Sequence, residues 1–574
     1  MNPLAQLKRV KPAQKVSRPQ YDVVIDKDVE ITLRDGVRLK ADVFRPRGRG
    51  KFPAIINLGP YQKDKLWVPP ADLEEKPNPY MNWEAVNPLW WVPRGYCAVR
   101  VDTRGSGKSP GETDPFSQQE AVDFYDAIEW SARQPWCNGN VGTSGISYFA
   151  MTQWLVANLQ PPSLKAMIPW EGAADMYRDL AYHGGLFCFG FVTNWYNNHM
   201  AHHLLGRRDQ SSSPDAFSRN WLWQFMRNSL DTGWWQGRQP QWDKIKVPFY
   251  SAGNWSGMGL HLRGNTEAYT RAASKHKKLR IHAGTHYHPF YAEEARMDQL
   301  RFFDHWLKGI DTGIMKEPPI KLLIRTGGGG PYKTWRNENE WPLKRTRWTR
   351  FYLQPVKTER GSKTDVEGTF RATAPKLPGK LAYPTSAASK AGVASASWTS
   401  TAVGNLGRLG ISFETEPLEA DTEVTGPVNL VLWVSSTTED MDIYATIRNI
   451  GPDGQDVWEI GQQQQPVPVA KGWQRASHRK LDSRLSRPYR PYHAHDERQW
   501  LKPGEIVQVQ VEIWPTCMVF RKGHRIRLDI QPRDGVGSAP YTHYHGDYNT
   551  GGKNTVYTGG KHASYLLLPI IPGR

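Results

Sequence analysis

The sequence predicts an α/β domain with a mostly parallel sheet, a helical cap inserted in it, and a C-terminal all-β domain of sandwich or jelly-roll type. Three observations carry that reading. Short apolar runs alternate with helical periodicity in the first part of the chain, the pattern of strands joined by crossover helices. Residues 173–236 break the rhythm, with aromatics, Asn and His at helical spacing and no clear strands. Beyond about residue 316 helical patterns fade, and short β-type runs separated by Gly, Pro and Asp replace them.

The elements follow in order. Residues 1–20 are basic and Pro-interrupted and read as an arm. Residues 29–33, the Arg34-Asp35-Gly36 turn and residues 37–44 read as a hairpin, because apolar positions alternate on both sides of a tight turn. Residues 52–58 and 96–101 are buried strands, ending at Gly59-Pro60-Tyr61 and at Asp102. Ala121, Tyr125, Ile128 and Ala132 share one helical face. Residues 141–145 form a strand that leads into an apolar helix from Tyr148 to about Leu159. Residues 164–170, 247–252 and 279–283 are further strands of the core. Residues 320–324, 349–353, 428–434, 506–513 and 525–530 read as strands of the all-β domain, and 373–403 as a surface loop. The expected organisation is core 1–172, cap 173–236, core 237–316 and β-sandwich 317–574.

Composition removes several function classes. A chain of 574 residues is neither a small disulfide scaffold nor a lone binding module. Its net charge of +18 invites a nucleic-acid partner. The densest basic runs are Lys8, Arg9, Lys11, Lys15, Arg18 and residues 475–490, and neither makes a helical stripe with interleaved aromatics. No nucleic-acid partner is expected. Cys97, Cys137, Cys188 and Cys517 are too far apart for a zinc ribbon or a disulfide framework. No run approaches the ~20 apolar residues of a membrane span, and none follows the basic N-terminus as in a signal peptide. The expectation is a cytoplasmic chain without a membrane partner; a homodimer is allowed.

Two glycine-rich motifs mislead. Gly105-Ser106-Gly107-Lys108-Ser109 ends like a phosphate-binding loop, but Asp102 stands where its first Gly belongs. Residues 107–111 fit G-x-S-x-G, but Pro110 removes the amide that an oxyanion hole needs. The better nucleophile motif is Gly145-Ile146-Ser147-Tyr148-Phe149-Ala150, between a strand and a helix. There Tyr148 N–H faces the developing oxyanion. Phe149 takes the second Gly position of the usual pattern, and Ala150 supplies a small residue one step later.

Several motifs, in order, resemble those of the cocaine esterase/X-prolyl dipeptidyl aminopeptidase (CocE/NonD) family. They are Asp35-Gly36-Val37-Arg38-Leu39, Gly59-Pro60-Tyr61, residues 102–107, residues 134–139 leading to Gly145-x-Ser147-Tyr148, residues 302–309 and Gly523-His524-Arg525. The resemblance implies an α/β-hydrolase core, a helical cap and a C-terminal jelly roll. It also implies Ser147 as nucleophile and Tyr61 as the second oxyanion donor beside Tyr148 N–H. The histidine is expected after the last core strand, where spacing from Gly284 favours His288 over His286.

The family's acid position does not match. Its Trp-x-Asp is Trp255-Ser256 here after Asn254, and serine cannot stabilise an imidazolium as a carboxylate does. Glu171 ends the strand after the elbow helix, and neighbouring parallel strands end at one crevice. The expected triad is Ser147, Glu171 and His288, with Asp175 the alternative acid. Trp170, Phe187, Phe191, Trp195 and Trp255 are the expected walls of an apolar substrate pocket. Histidine pairs recur at His202/His203, His286/His288, His493/His495 and His543/His545. No third ligand stands at a recognisable spacing, so neither metal nor cofactor is expected.

These residues describe a serine hydrolase that cleaves a small carboxylic ester, or less readily an amide, through an acyl-enzyme. Acyl transfer from the same intermediate is the first alternative. A catalytically degraded binding protein is the second, with Ser256 as its support.

Overall fold

The computed structural model describes residues 15–65, 67, 69–201, 221–356, 366–385, 410–535, 540–544, 549 and 551–573. Lys8, Arg9, Lys11, the His202/His203 pair, residues 386–403 of the surface loop, and His545 lie outside them.

In chain order the strands of the first domain are β1 (Val23–Thr32), β2 (Arg38–Pro46), β3 (Phe52–Gly59), β4 (Cys97–Asp102), β5 (Cys137–Ile146) and β6 (Leu164–Trp170). Then come β7 (Tyr182–His183), β8 (Leu186–Phe187), β9 (Phe249–Asn254), β10 (Lys277–His282), β11 (Ile320–Leu323) and β12 (Trp335–Glu338). All but β7 and β8 join one ten-stranded sheet, ordered β1-β2-β4-β3-β5-β6-β9-β10-β11-β12. The strands from β4 to β11 in that order run parallel. β1, β2 and β12 add antiparallel edges. From β3 the chain steps to β4 on one side and then to β5 on the other. Such a reversal opens a crevice beyond the C-terminal strand ends, the usual place for a ligand.

Local sequence explains these elements. The centre of β3, Ala54 to Leu58, is buried, as a strand covered on both faces requires. The helix Gln118–Ala132 starts at Ser117, whose side chain accepts the Glu120 N–H. The helix Glu293–Lys308 ends at Gly309 with φ 70°, the left-handed cap that glycine adopts most readily. Separate apolar clusters fill the two faces of the sheet, one around Trp91, Ile168 and Phe303 and the other around Ile56, Val99 and Phe124.

Two expectations are corrected. Residues 320–324 do not open the sandwich: β11 pairs in parallel with β10, and β12 then pairs with β11. The run is short and apolar in either setting, and periodicity cannot choose between two sheets. The cap is not purely helical. β7 and β8 form a hairpin turning at Gly184 and Gly185, both at positive φ. Most of the rest of its described part is helical, including Phe189–Trp195 and Trp221–Arg227.

The C-terminal all-β domain holds an eleven-stranded sheet. Its strand Thr422–Ser436 pairs with Val507–Phe520 and also with Tyr565–Ile571, so the pairing closes on itself. One apolar cluster, including Leu430, Leu432, Val511 and Ile513, fills it. Among the described residues, no helix is long and apolar enough to cross a membrane.

Candidate active site

Ser147 stands between β5 and the helix Tyr148–Ala157 at φ 57° and ψ −115°. A non-glycine residue holds such a conformation only where its surroundings impose it. Ser147 N–H donates to Trp170 O at 3.0 Å, and the Ser147 carbonyl accepts from Ala150 and Met151. A Cβ at Gly145 would stand 2.5 Å from Phe149 Cβ, and one at Gly59 would stand 2.5 Å from the Phe149 ring. These two glycines therefore make room for the phenylalanine that departs from the G-x-S-x-G pattern.

Tyr61 follows β3, the strand beside β5. Its hydroxyl accepts the Trp195 indole N–H at 2.9 Å, and its ring stacks on Trp83 at 5.1 Å. Burial, then the nearby Glu84, push its pKa well above that of a free phenol, so it stays protonated as a donor. Tyr148 is the first residue of its helix, and its N–H has no intrahelical acceptor. The Tyr148 hydroxyl donates to Glu120 at 2.8 Å.

Three histidines and a carboxylate lie behind Ser147. His261 Nε2 is 3.1 Å from Ser147 Oγ. Glu171 is fully buried at the end of β6. Its Oε1 meets His282 Nε2 at 2.8 Å and accepts from Asn254 Nδ2 at 3.0 Å. Its Oε2 meets His286 Nδ1 at 2.7 Å, accepts from Gln462 Nε2, and stands 3.9 Å from His261 Nδ1. His286 Nε2 in turn meets Glu84 Oε1 at 3.0 Å. Burial opposes ionisation of Glu171, yet His286 and His282 hold its pKa below the usual carboxylate range. Burial alone would lower the His286 pKa, but Glu171 and Glu84 raise it to about 10. His286 is thus an imidazolium clamped between two carboxylates. His261 stacks on it at 5.1 Å. Burial and that neighbouring charge lower the His261 pKa to about 3, so His261 is neutral.

A cavity of about 380 Å³ opens over this group. Ser147, Tyr61, His261 and His286 reach it, and Phe116, Met151, Phe191 and Trp195 give it apolar walls. The all-β domain contributes Gln462 and Tyr541.

The structure brings Ser147, Tyr61, Tyr148 and Glu171 to one place. It does not bring His288 there. His288 opens the short helix His288–Tyr291, and its half-exposed ring faces Glu74 at 3.8 Å. Counting from Gly284 misplaces the histidine because the loop presents His286 to Glu171 instead. Asp175 pairs with Arg178 at 2.8 Å and not with the histidines. Ser256, at the position of the expected acid, donates to Ile460 O at 2.6 Å. Of the five expected pocket walls, Phe191 and Trp195 line the cavity. Trp170 packs in the core and stacks on His282 at 5.0 Å. Phe187 packs against Tyr182, and Trp255 donates to Leu323 O beside Trp341. Sequence reasoning missed His261, His282, Glu84 and Gln462. His261 had one signal: it follows β9 in the same loop as Ser256.

Among the described residues, two groups have His, Cys or carboxylate atoms close enough to share a metal ion: Glu171, His261 and His286, and His183, Cys188 and His543. In the first, His286 already bridges two carboxylates, so its nitrogens are satisfied without an ion.

The X-Pro dipeptidyl-peptidase (S15 family) profile matches residues 35–288, and that of the X-Pro dipeptidyl-peptidase C-terminal non-catalytic domain matches 312–567. The second match includes β11 and β12, although both pair in the first sheet. A solved CocE/NonD family hydrolase from Staphylococcus aureus is 30% identical, with a TM-score of 0.83 over 98% of this chain and 99% of that one. The cocaine esterase of Rhodococcus sp. (strain MB1 Bresler) is 26% identical over 95% of this chain and 98% of its own length. An aminopeptidase from the archaeon Thaumarchaeota archaeon shares the fold, with a TM-score of 0.72 at 18% identity over 99% of this chain and 100% of that one.

Proposed function

The chain belongs to the CocE/NonD family of hydrolases, and from that premise we propose that it cleaves an apolar carboxylic ester with Ser147 as nucleophile, His261 as base and Glu171 as the buried acid. It is a serine hydrolase, and its family works through an acyl-enzyme. The observation that carries the residue roles is the 3.1 Å contact of His261 Nε2 with Ser147 Oγ, in the cavity that Tyr61 also lines.

In this reading Ser147 Oγ attacks the ester carbonyl and its proton passes to His261 Nε2. Tyr61 O–H and Tyr148 N–H receive the oxyanion. Collapse expels the alcohol, which takes the proton from His261. Water then attacks the acyl-enzyme by the same route and releases the acid. His261 must carry its resting proton on Nδ1 for the first step. With Gln462 Nε2–H donating to that nitrogen at 3.2 Å, the proton instead sits on Nε2. Glu171 Oε2, 3.9 Å away, is the acceptor that would hold it on Nδ1 once Gln462 turns aside. In this reading Gln462, which lines the cavity, turns aside when substrate binds.

The aromatic walls favour an apolar acyl or alcohol group. The name of the Rhodococcus relative points the same way, since cocaine is an ester with bulky apolar parts. The finer jelly-roll reading of the all-β domain belongs to this proposal too; its support is the single apolar cluster inside the closed pairing. A p-nitrophenyl ester chain-length series tests the function. We expect turnover that rises with acyl length until the cavity is filled and vanishes in Ser147→Ala. Turnover that survives Ser147→Ala would overturn the reading.

A further inference from the structure

Glu84 takes no part in proton transfer to or from Ser147, yet it touches both halves of the site. It lies in the loop between β3 and β4 and is 2% exposed. Its backbone holds φ 60°, a region that a non-glycine residue keeps only where its surroundings impose it. Burying a carboxylate is costly unless it is paired.

Two contacts offset that cost. The first is made by the backbone. Glu84 O accepts the Ile146 N–H at 3.0 Å, and Ile146 directly precedes Ser147. A Cβ at Gly145 would stand 3.1 Å from Glu84 O, so the loop packs closely on the turn that carries the nucleophile. The second is made by the side chain. Glu84 Oε1 meets His286 Nε2 at 3.0 Å, and Glu171 Oε2 meets the other ring nitrogen at 2.7 Å. A ring held at both nitrogens by opposed carboxylates is fixed in its plane. His261 stacks on that ring with 7° between the planes, and it presents Nε2 to Ser147 Oγ at 3.1 Å.

The loop is itself anchored. Asn82 Nδ2 donates to the carbonyls of Gln62, Lys63 and Lys65, just beyond Tyr61. Trp83 stacks on the Tyr61 ring. The Tyr291 hydroxyl donates to Ala85 O at 2.8 Å, and Arg100 Nη2 to Val86 O at 2.9 Å. Residues 82–86 thus join the tyrosine, the elbow and the histidines into one frame, with Glu84 at the junction.

We propose that Glu84 is a positioning residue of the hydrolase: its carbonyl fixes the turn that carries Ser147, and its carboxylate fixes the ring against which His261 is oriented. That role rests on Ser147 and His261 being the reacting pair. The titratable groups facing His286 are Glu171 at the end of β6, Glu84, His261 beyond β9 and the adjacent Tyr287. His282 on β10 shares Glu171, Asp72 accepts from the neighbouring Thr285, and the Gln462 amide approaches from the all-β domain. Burial opposes the charge on His286, and Glu171 and then Glu84 outweigh it, so the ring keeps its proton to about pH 10. In Glu84→Gln the amide oxygen can still accept from Nε2, so the ring stays in place while one carboxylate alone holds its proton. In Glu84→Ala the ring is released at one end.

The test is hydrolysis of a p-nitrophenyl ester by the full chain as a function of pH, in the wild type, Glu84→Gln, Glu84→Ala and Ser147→Ala. We expect Glu84→Ala to lower kcat about 10²-fold near neutral pH, the cost of misplacing a reacting group by about 1 Å, with KM little changed. Glu84→Gln should recover most of that kcat. Its rise in kcat/KM, which the wild type shows near pH 10, should come about 1–3 pH units lower, the reach of one opposite charge at contact distance. A merely structural Glu84 would lower melting temperature and kcat together and leave the pH profile in place. If circular dichroism shows that Glu84→Ala does not fold, the Glu84→Gln profile decides alone. A Glu84→Gln rise that stays at the wild-type pH, a Glu84→Gln loss as deep as that of Glu84→Ala, or a wild-type kcat in Glu84→Ala would overturn the role of Glu84. Turnover that persists in Ser147→Ala would instead overturn the assignment on which that role rests.

Discussion

At Tyr61 one hydroxyl makes the whole side-chain share of the proposed oxyanion hole. Tyr61→Phe should lower kcat about 10²–10³-fold, the usual loss for one donor, with a small drop in melting temperature because the buried Trp195 N–H loses its acceptor. A variant with wild-type kcat would remove Tyr61 from that role. His286 carries a pH signature. Its folded pKa of about 10 lies above the ordinary 6.5. The stability it contributes is fully present below about pH 6.5 and is lost as pH rises toward 10. Folded His286 itself gives up its proton only near pH 10, and there His261 loses a cationic neighbour and becomes a stronger base. We predict that melting temperature falls between about pH 6.5 and 10 while kcat/KM rises only as pH nears 10, and that His286→Gln flattens both trends. Parallel trends would contradict the assignment. Ser147 was legible in the sequence because the elbow is a local motif, and Glu171 because adjacent parallel strands end at one crevice. His261 was not, because it caps the start of a helix and lies 114 residues further along the chain, so its approach to Ser147 comes from packing.

That helix, Leu262–Arg271, depends on a close approach to the backbone beyond Glu171. A Cβ at Gly264 would stand 2.5 Å from Ala174 N and 2.7 Å from Ala173 C. Backbone cannot swing aside as a side chain does. Gly264→Ala should therefore lower stability by about 1–3 kcal/mol, as overpacking does. It should also move His261 away from Ser147, so kcat/KM falls as well. A melting curve and a rate measurement on one sample check both, and a stability loss with full activity would show that this contact does not position His261. At this scale the sequence reading placed most core strands and the elbow helix. It missed the β7–β8 hairpin because strands this short leave no periodicity.

Across the molecule, the cap, core and all-β domain meet at buried charge. The Arg263 guanidinium, 2% exposed, donates to cap Asp179 at 2.9 Å and to Glu512 of the all-β domain at 3.0 Å. Arg263→Met would leave both carboxylates buried without their cation. We expect a loss of about 3–5 kcal/mol, the scale for breaking a buried pair, read as a lower denaturation midpoint. A change below ~1 kcal/mol would mean that water or a neighbour replaces the guanidinium. The sheet that residues 320–324 join was illegible for a similar long-range reason, since β11 pairs with the edge of β10 and its own residues fit either sheet. Gln462 and Tyr541 were illegible because they enter the cavity from the other domain. The central claim is that His261 serves Ser147. The direct measurement is the rate at which a fluorophosphonate labels Ser147 in His261→Ala and His288→Ala, read by mass spectrometry. The account predicts labelling slowed about 10²–10⁴-fold in His261→Ala and unchanged in His288→Ala. Wild-type labelling of His261→Ala with loss in His288→Ala would contradict it.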